Sequence, residues 1–184
     1  MTPSLFDTSS LLALVRYYLP FDKGDVIKGI LKKCFEDGEM IILDKIMDEC
    51  KFIAKGIILK ELDFIDSKSG LIIKTNELIP STKFFNHLDN SFCNKDIVKL
   101  KGLTPAEFDL AKRTFLKGAD ANLLLYAEKI KGSKPLIVTE ETKTNNDGKF
   151  FKKIPENCFA LSHQYCDLPS LLRDHLKLNV DYSN

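Results

Sequence analysis

The chain of 184 residues contains no tryptophan, only three histidines and almost no net charge. With 27 Lys plus Arg against 26 Asp plus Glu, the formal charge is +1, so no broad basic field attracts a polyanion and any nucleic-acid binding must rest on local patches. The five cysteines, Cys34, Cys50, Cys93, Cys158 and Cys166, are odd in number and lack CxxC spacing. With the histidines scattered, neither a disulfide framework nor a zinc site is indicated, and the cysteines read as small core residues. No apolar run is long enough to span a bilayer, and the first residues lack the basic segment and long apolar core of a signal peptide. The expectation is a cytoplasmic protein with no membrane partner. Internal repeats and low-complexity tracts are also missing.

What is present is 44% hydrophobic and 29% charged residues, the balance of a soluble globular protein, at a length one core can serve. A single domain over 1–184 is expected. Residues 3–6 form a short candidate strand running into the helix DTSSLLALVRYYL, which Pro20 stops. Lys23 to Asp37 carries apolar residues at helical spacing with Gly38 at the C-cap. Met40 to Leu43 is a short strand, and Asp44 is placed to cap the helix DKIMDECKFIAKG. The order β, α, α, β, α argues for a parallel sheet covered by helices.

Residues 57–103 are less regular and read as a mostly helical insertion. TPAE at 104–107 has the N-cap, first-position proline and glutamate of a capping box, predicting a helix to about Lys117. Gly118 breaks it, and Asp120 opens a helix that Gly132 closes. PLIVTEE is the clearest strand, followed by a lysine-rich polar loop, the stretch IPENCFALSHQYCDL and an amphipathic helix in PSLLRDHLKL.

Parallel α/β sheets deliver functional residues from their carboxyl edge, and acids recur there. Asp7 ends the first strand, Glu140 and Glu141 end PLIVT, Asp120 stands at a helix start able to face that edge, and Glu49 lies in the helix after the second strand. Each has a plainer role as well. Asp7 and Asp120 fit helix caps, Glu49 a solvated helix face, and Glu140 and Glu141 loop charges. If they converge, mutual repulsion raises their pKa values unless a cation neutralises them. Mg²⁺ or Mn²⁺ takes oxygen ligands and keeps waters, leaving room for a phosphate oxygen and an attacking water, which implies phosphodiester hydrolysis.

The segments LFDTSSLLAL, IILDKIMDECKF, GADANLLLYA and LIVTEE together resemble the PIN domain, a nuclease family that includes VapC-type toxins. The wording DTSSLLALVRYYLP, with TEE in place of the more usual Thr-x-Asp, is most similar to a PIN-like branch known only as a domain of unknown function. The resemblance implies a three-layer α/β/α sandwich with a mainly parallel central sheet and a metal-dependent ribonuclease, the toxin of a toxin–antitoxin pair. It assigns Asp7, Glu49, Asp120 and Glu141 as catalytic metal ligands for Mg²⁺ or Mn²⁺, with Glu140 as the alternative to Glu141. Thr8, Ser9, Thr139 and Asn122 are supporting residues. RNA is the implied substrate, a cognate antitoxin the protein partner, and a homodimer the assembly.

For phosphate contacts the expected residues are Arg16, Lys143, Lys149, Lys152 and Lys153, of which those in the loop after PLIVTEE are best placed. Lys112, Arg113 and Lys117 fit a solvated helix face equally well. The rival expectation is a PIN-like scaffold that binds protein without catalysis, because glutamate replaces aspartate at the fourth acid. A haloacid-dehalogenase-like phosphatase needs an aspartate two residues after Asp7, where Ser9 stands. A phosphoryl receiver also lacks its acidic pair.

Overall fold

The computed structural model describes residues 2–65, 70–143 and 148–178. Strand β1 (Ser4–Phe6) is followed at once by α1 (Thr8–Ala13), which continues through a wider π-type turn at Leu14–Tyr18. Helix α2 (Val26–Glu36) leads to β2 (Met40–Ile41), and α3 (Asp44–Phe52) follows. Strand β3 (Leu136–Val138) and strand β4 (Gln164–Cys166) complete a four-stranded sheet in the order β2-β1-β3-β4. Every pairing is parallel, with Phe6 beside Val138 and Val138 beside Cys166.

Neighbouring residues of a strand point to opposite faces. Leu5 and Phe6, and Leu136, Ile137 and Val138, are all buried, so both faces of the sheet are covered, as parallel sheets require. The architecture is the three-layer α/β/α sandwich. On one layer α1 packs on α3, and α3 on α8 (Ala119–Lys129). The chain leaves β1 toward β2 and later returns to the other side of β1 as β3, so strand order reverses between β1 and β3. The carboxyl ends of those two strands flank a topological switch point, where open α/β sheets bind ligands.

Local chemistry explains several turns. Glu39 N–H donates to Cys34 O at 2.8 Å and Gly38 N–H to Phe35 O at 3.1 Å, a Schellman ending for α2. Gly38 supplies the left-handed φ of 74° that it needs. Helix α7 (Pro105–Lys117) begins with the expected capping box of Thr104 and Glu107. Asp44 is not a cap: it is the first residue of α3, and its carboxylate accepts the Thr75 hydroxyl at 2.6 Å. Helix α3 also ends at Phe52 rather than Gly56, because Ala54 and Lys55 turn into left-handed backbone.

The 57–103 insertion contains α4 (Ile57–Glu61), α5 (Thr82–His87) and α6 (Lys95–Leu100). It also has extended parts. Ile73 forms a parallel bridge to Leu43 beyond β2, and Cys93 an antiparallel bridge to Phe151. The stretch IPENCFALSHQYCDL resolves into α9 (Ile154–Leu161) and β4, and the last helical segment starts as α10 (Leu168–Ser170). One hydrophobic cluster joins β1, α1, α2, α3, the insertion, α8, β3 and α9. Four of the cysteines are buried free thiols, and Cys166 is half-buried. Ile137, fully buried in a central strand, should be sensitive to truncation. Ile137→Ala is expected to lower unfolding free energy by about 2–5 kcal/mol, measured by urea denaturation.

Candidate functional site

Asp7 is 5% exposed, and an unpaired carboxylate there would be strongly unfavourable. It is not unpaired. Its Oδ1 accepts Thr8 N–H at 2.7 Å, and its Oδ2 accepts the Ser9 hydroxyl at 2.6 Å and the Thr139 hydroxyl at 2.9 Å. Hydrogen bonds to a charged group contribute about 1.5–3 kcal/mol each. Asp7 therefore serves as the α1 N-cap and is held as an oriented carboxylate at the end of β1.

The two hydroxyls are themselves oriented. Ser9 Oγ accepts Glu140 N–H at 3.0 Å and Thr139 Oγ1 accepts Glu141 N–H at 3.2 Å. Each hydroxyl thus accepts a backbone amide and gives its proton to Asp7, which as a carboxylate can only accept. Below them, the Ser10 hydroxyl lies 2.7 Å from Asp7 O and 3.0 Å from Val138 O, joining β1, α1 and β3. The Thr-Ser that follows the aspartate and the threonine that precedes the TEE acids thus form one network.

Thr8 donates its hydroxyl to Glu49 Oε2 at 2.6 Å, which draws this α3 glutamate, exposed at the rim, toward the Asp7 end of β1. Asp120 lies in the first turn of α8, whose cap is Gly118 rather than Asp120. The corner before it is fixed by Asn122, whose amide donates to Leu116 O at 3.1 Å and Gly118 O at 2.7 Å. Asn122 is buried and positions the Asp120 turn through the backbone. The Asp120 carboxyl is pushed up to about 7, first by burial and then by the charges of Asp7, Glu141 and Glu49, with Lys149 opposing. The Cys50 thiol is pushed up to about 12 by burial and by Glu49 and Asp7.

The four acids are thus close enough to act on one another. The side chains of Asp7, Glu49 and Glu141 are turned to protein donors, and among the described residues no three His, Cys, Asp or Glu side chains form a preformed metal-ligand group. Glu141 Oε2 accepts Ile154 N–H at 2.9 Å, at the start of α9. Glu140 Oε1 instead accepts Leu168 N–H at 2.7 Å, tying β3 to α10. Of the two glutamates, Glu141 is the one whose charge reaches Asp120. The donor set is all oxygen, which suits a hard divalent cation.

A cleft of about 590 Å³ adjoins the acids, lined by Asp120, Glu141, Lys149, Lys152 and Lys153, together with Lys101, Phe150 and Phe151. Three of the lysines expected from the sequence therefore meet two of the acids. Lys143 instead lies 5.4 Å above the Phe159 ring, and Arg16 is exposed in the π-type turn after α1. Lys112 is paired with Asp89 and Asp109, each at 2.8 Å. Arg113 and Lys117 lie exposed on α7. Residues 144–147 of the polar loop lie outside the described residues. Sequence reasoning missed Lys101 and Phe150, which meet only through pairing between distant segments.

The model of a family described as Domain of unknown function (DUF4411) matches residues 4–178, and the chain belongs to that family. No curated protein and no solved structure matches. The family description carries no activity.

The Asp120 shift has a definite pH consequence. A carboxyl raised in the folded state binds a proton that the unfolded chain has released. Stability in chelator is then lost as pH rises from the ordinary carboxylate range to about 7. The slope is at most about 1.4 kcal/mol per pH unit. Urea denaturation between pH 5 and 8 should show this fall in the wild type and a flatter profile in Asp120→Asn.

Proposed function

We propose that this DUF4411 member is a PIN-like, divalent-metal-dependent ribonuclease. The observation that carries the proposal is the gathering of Asp7, Glu49, Asp120 and Glu141 at the β1–β3 switch point, where burial first and then the charges of Asp7, Glu141 and Glu49 raise Asp120 to about 7. Carboxylates brought together at such mutual disadvantage serve function better than folding. The PIN resemblance of the same four positions supports it independently of the geometry.

Asp7, Glu49, Asp120 and Glu141 would hold Mg²⁺ or Mn²⁺. When bound, such an ion neutralises the acids, polarises a phosphate oxygen and lowers the pKa of a water. The chain's own residues orient and select. Ser9 and Thr139 aim Asp7, Thr8 draws in Glu49, and the Ile154 N–H fixes Glu141. Lys149, Lys152 and Lys153 set positive charge beside the acids for a phosphate backbone.

The toxin role within a toxin–antitoxin pair, its antitoxin, the homodimer and the cytoplasmic location are finer parts of the same proposal, resting on the resemblance. Among the described residues no helix is long and apolar enough to cross a membrane. A neighbouring gene for a small DNA-binding protein with a flexible tail would support the toxin role.

Purified protein with Mn²⁺ is expected to cleave RNA. Asp7→Asn and Asp120→Asn should each lower the rate by about 10²–10⁴-fold, the several kcal/mol that metal-assisted charge stabilisation supplies, while circular dichroism stays native. Intact RNA after incubation with the wild type would refute the proposal and leave the non-catalytic scaffold.

A further inference from the structure

We infer that the cleft beside the acids is a nucleotide subsite, in which Phe150 receives an unpaired base and Lys152 contacts an adjoining phosphate. The inference rests on the ribonuclease proposal for the identity of the polymer. The cleft, about 590 Å³, lies within the range of about 300–1,000 Å³ typical of small-ligand sites. Its lining mixes two chemistries: Leu103, Leu110 and Phe150 are apolar, whereas Lys101 and Lys152 are cationic. A bare anion would leave the apolar wall facing water, and a purely apolar ligand would bury or displace the amines. A nucleotide offers both a flat ring and a phosphate, and base stacking on an aromatic side chain is tolerant of sequence.

The aromatic wall is held in place. Asn94 N–H donates to Phe150 O, and Lys152 N–H to Phe92 O, each at 2.8 Å, so the arm carrying Phe150 is paired to the end of the 57–103 insertion. Phe151, next along the arm, is spent on packing, its ring 4.4 Å from that of Phe115. Lys101 Nζ lies 4.6 Å from the Phe150 ring centroid and 3.2 Å from Gly148 O, placing an ammonium and an aromatic ring within one nucleotide of each other. Asp120 and Glu141 line the same cleft, so a strand cleaved at the acids would lay its adjoining nucleotide along this wall. The insertion then acts as a substrate-binding element, supplying Lys101 and fixing Phe150.

The test uses full-length Asp7→Asn protein in Mg²⁺, so that bound RNA stays intact. Fluorescence anisotropy compares a fluorescein-labelled single-stranded oligoribonucleotide with a strand of equal length carrying abasic residues. The intact strand should bind more tightly by about five- to a hundredfold. Phe150→Leu, which keeps apolar bulk but loses the flat ring, should remove most of that difference. Lys152→Gln should weaken both strands alike and lower the slope of log affinity against log salt by about 0.7. Equal binding of intact and abasic strands, or an unchanged preference in Phe150→Leu, overturns the inference, as does no binding of either strand. Discrimination without cleavage by the wild type would sink the ribonuclease proposal and keep the subsite. Cleavage without discrimination would sink the subsite alone.

Discussion

The charge that Asp7, Glu49 and Glu141 set against the buried carboxyl of Asp120 is the constraint to which the rest of the structure answers. Asp7 is deeply buried and is stabilised by donors from Thr8, Ser9 and Thr139. Asp120 has no such set of donors among the described contacts, and its carboxyl rises to about 7, first through burial and then under its neighbours' charge. Folding alone gains little from this arrangement, since separated or apolar residues at the same positions would avoid the penalty. The divalent cation proposed for this site would set an attraction to each of the four acids against their repulsion.

The parallel sheet explains why the acids meet. Reversal of strand order between β1 and β3 puts the ends of two adjacent strands beside an open edge, and Asp7 and Glu141 leave from those ends. Helices α3 and α8, packed in the layer of α1, bring Glu49 and Asp120 to the same place. The amide-to-hydroxyl-to-carboxylate chains through Ser9 and Thr139 then link the acid-bearing end of β3 to Asp7. The insertion shapes what lies next to the acids by pairing its end with residues 150–152.

Much of this was legible in the sequence because it is local. An apolar strand ending in Asp7, the Thr104–Glu107 capping box, the Gly118 break and the LIV strand before TEE each show in a few consecutive residues. Strand β4 was not, because Gln164–Cys166 is a short edge strand with exposed positions and no alternation of apolar residues. Asp44 looks like a cap from its neighbours, but its partner Thr75 is 31 residues away. Asn122 follows Asp120 closely enough in sequence to suggest a place in the site, but the corner between α7 and α8 claims its amide. The place of Lys101 and Phe150 depends on the Cys93–Phe151 bridge, a long-range pairing with no local signature.

Calorimetric titration of metal-free protein with Mn²⁺ at neutral pH addresses the central claim most directly. A shared carboxylate site predicts saturable binding that is lost in both Asp7→Asn and Asp120→Asn, with native circular dichroism retained. Saturable heat that persists unchanged in those variants, or no heat in the wild type, would contradict it.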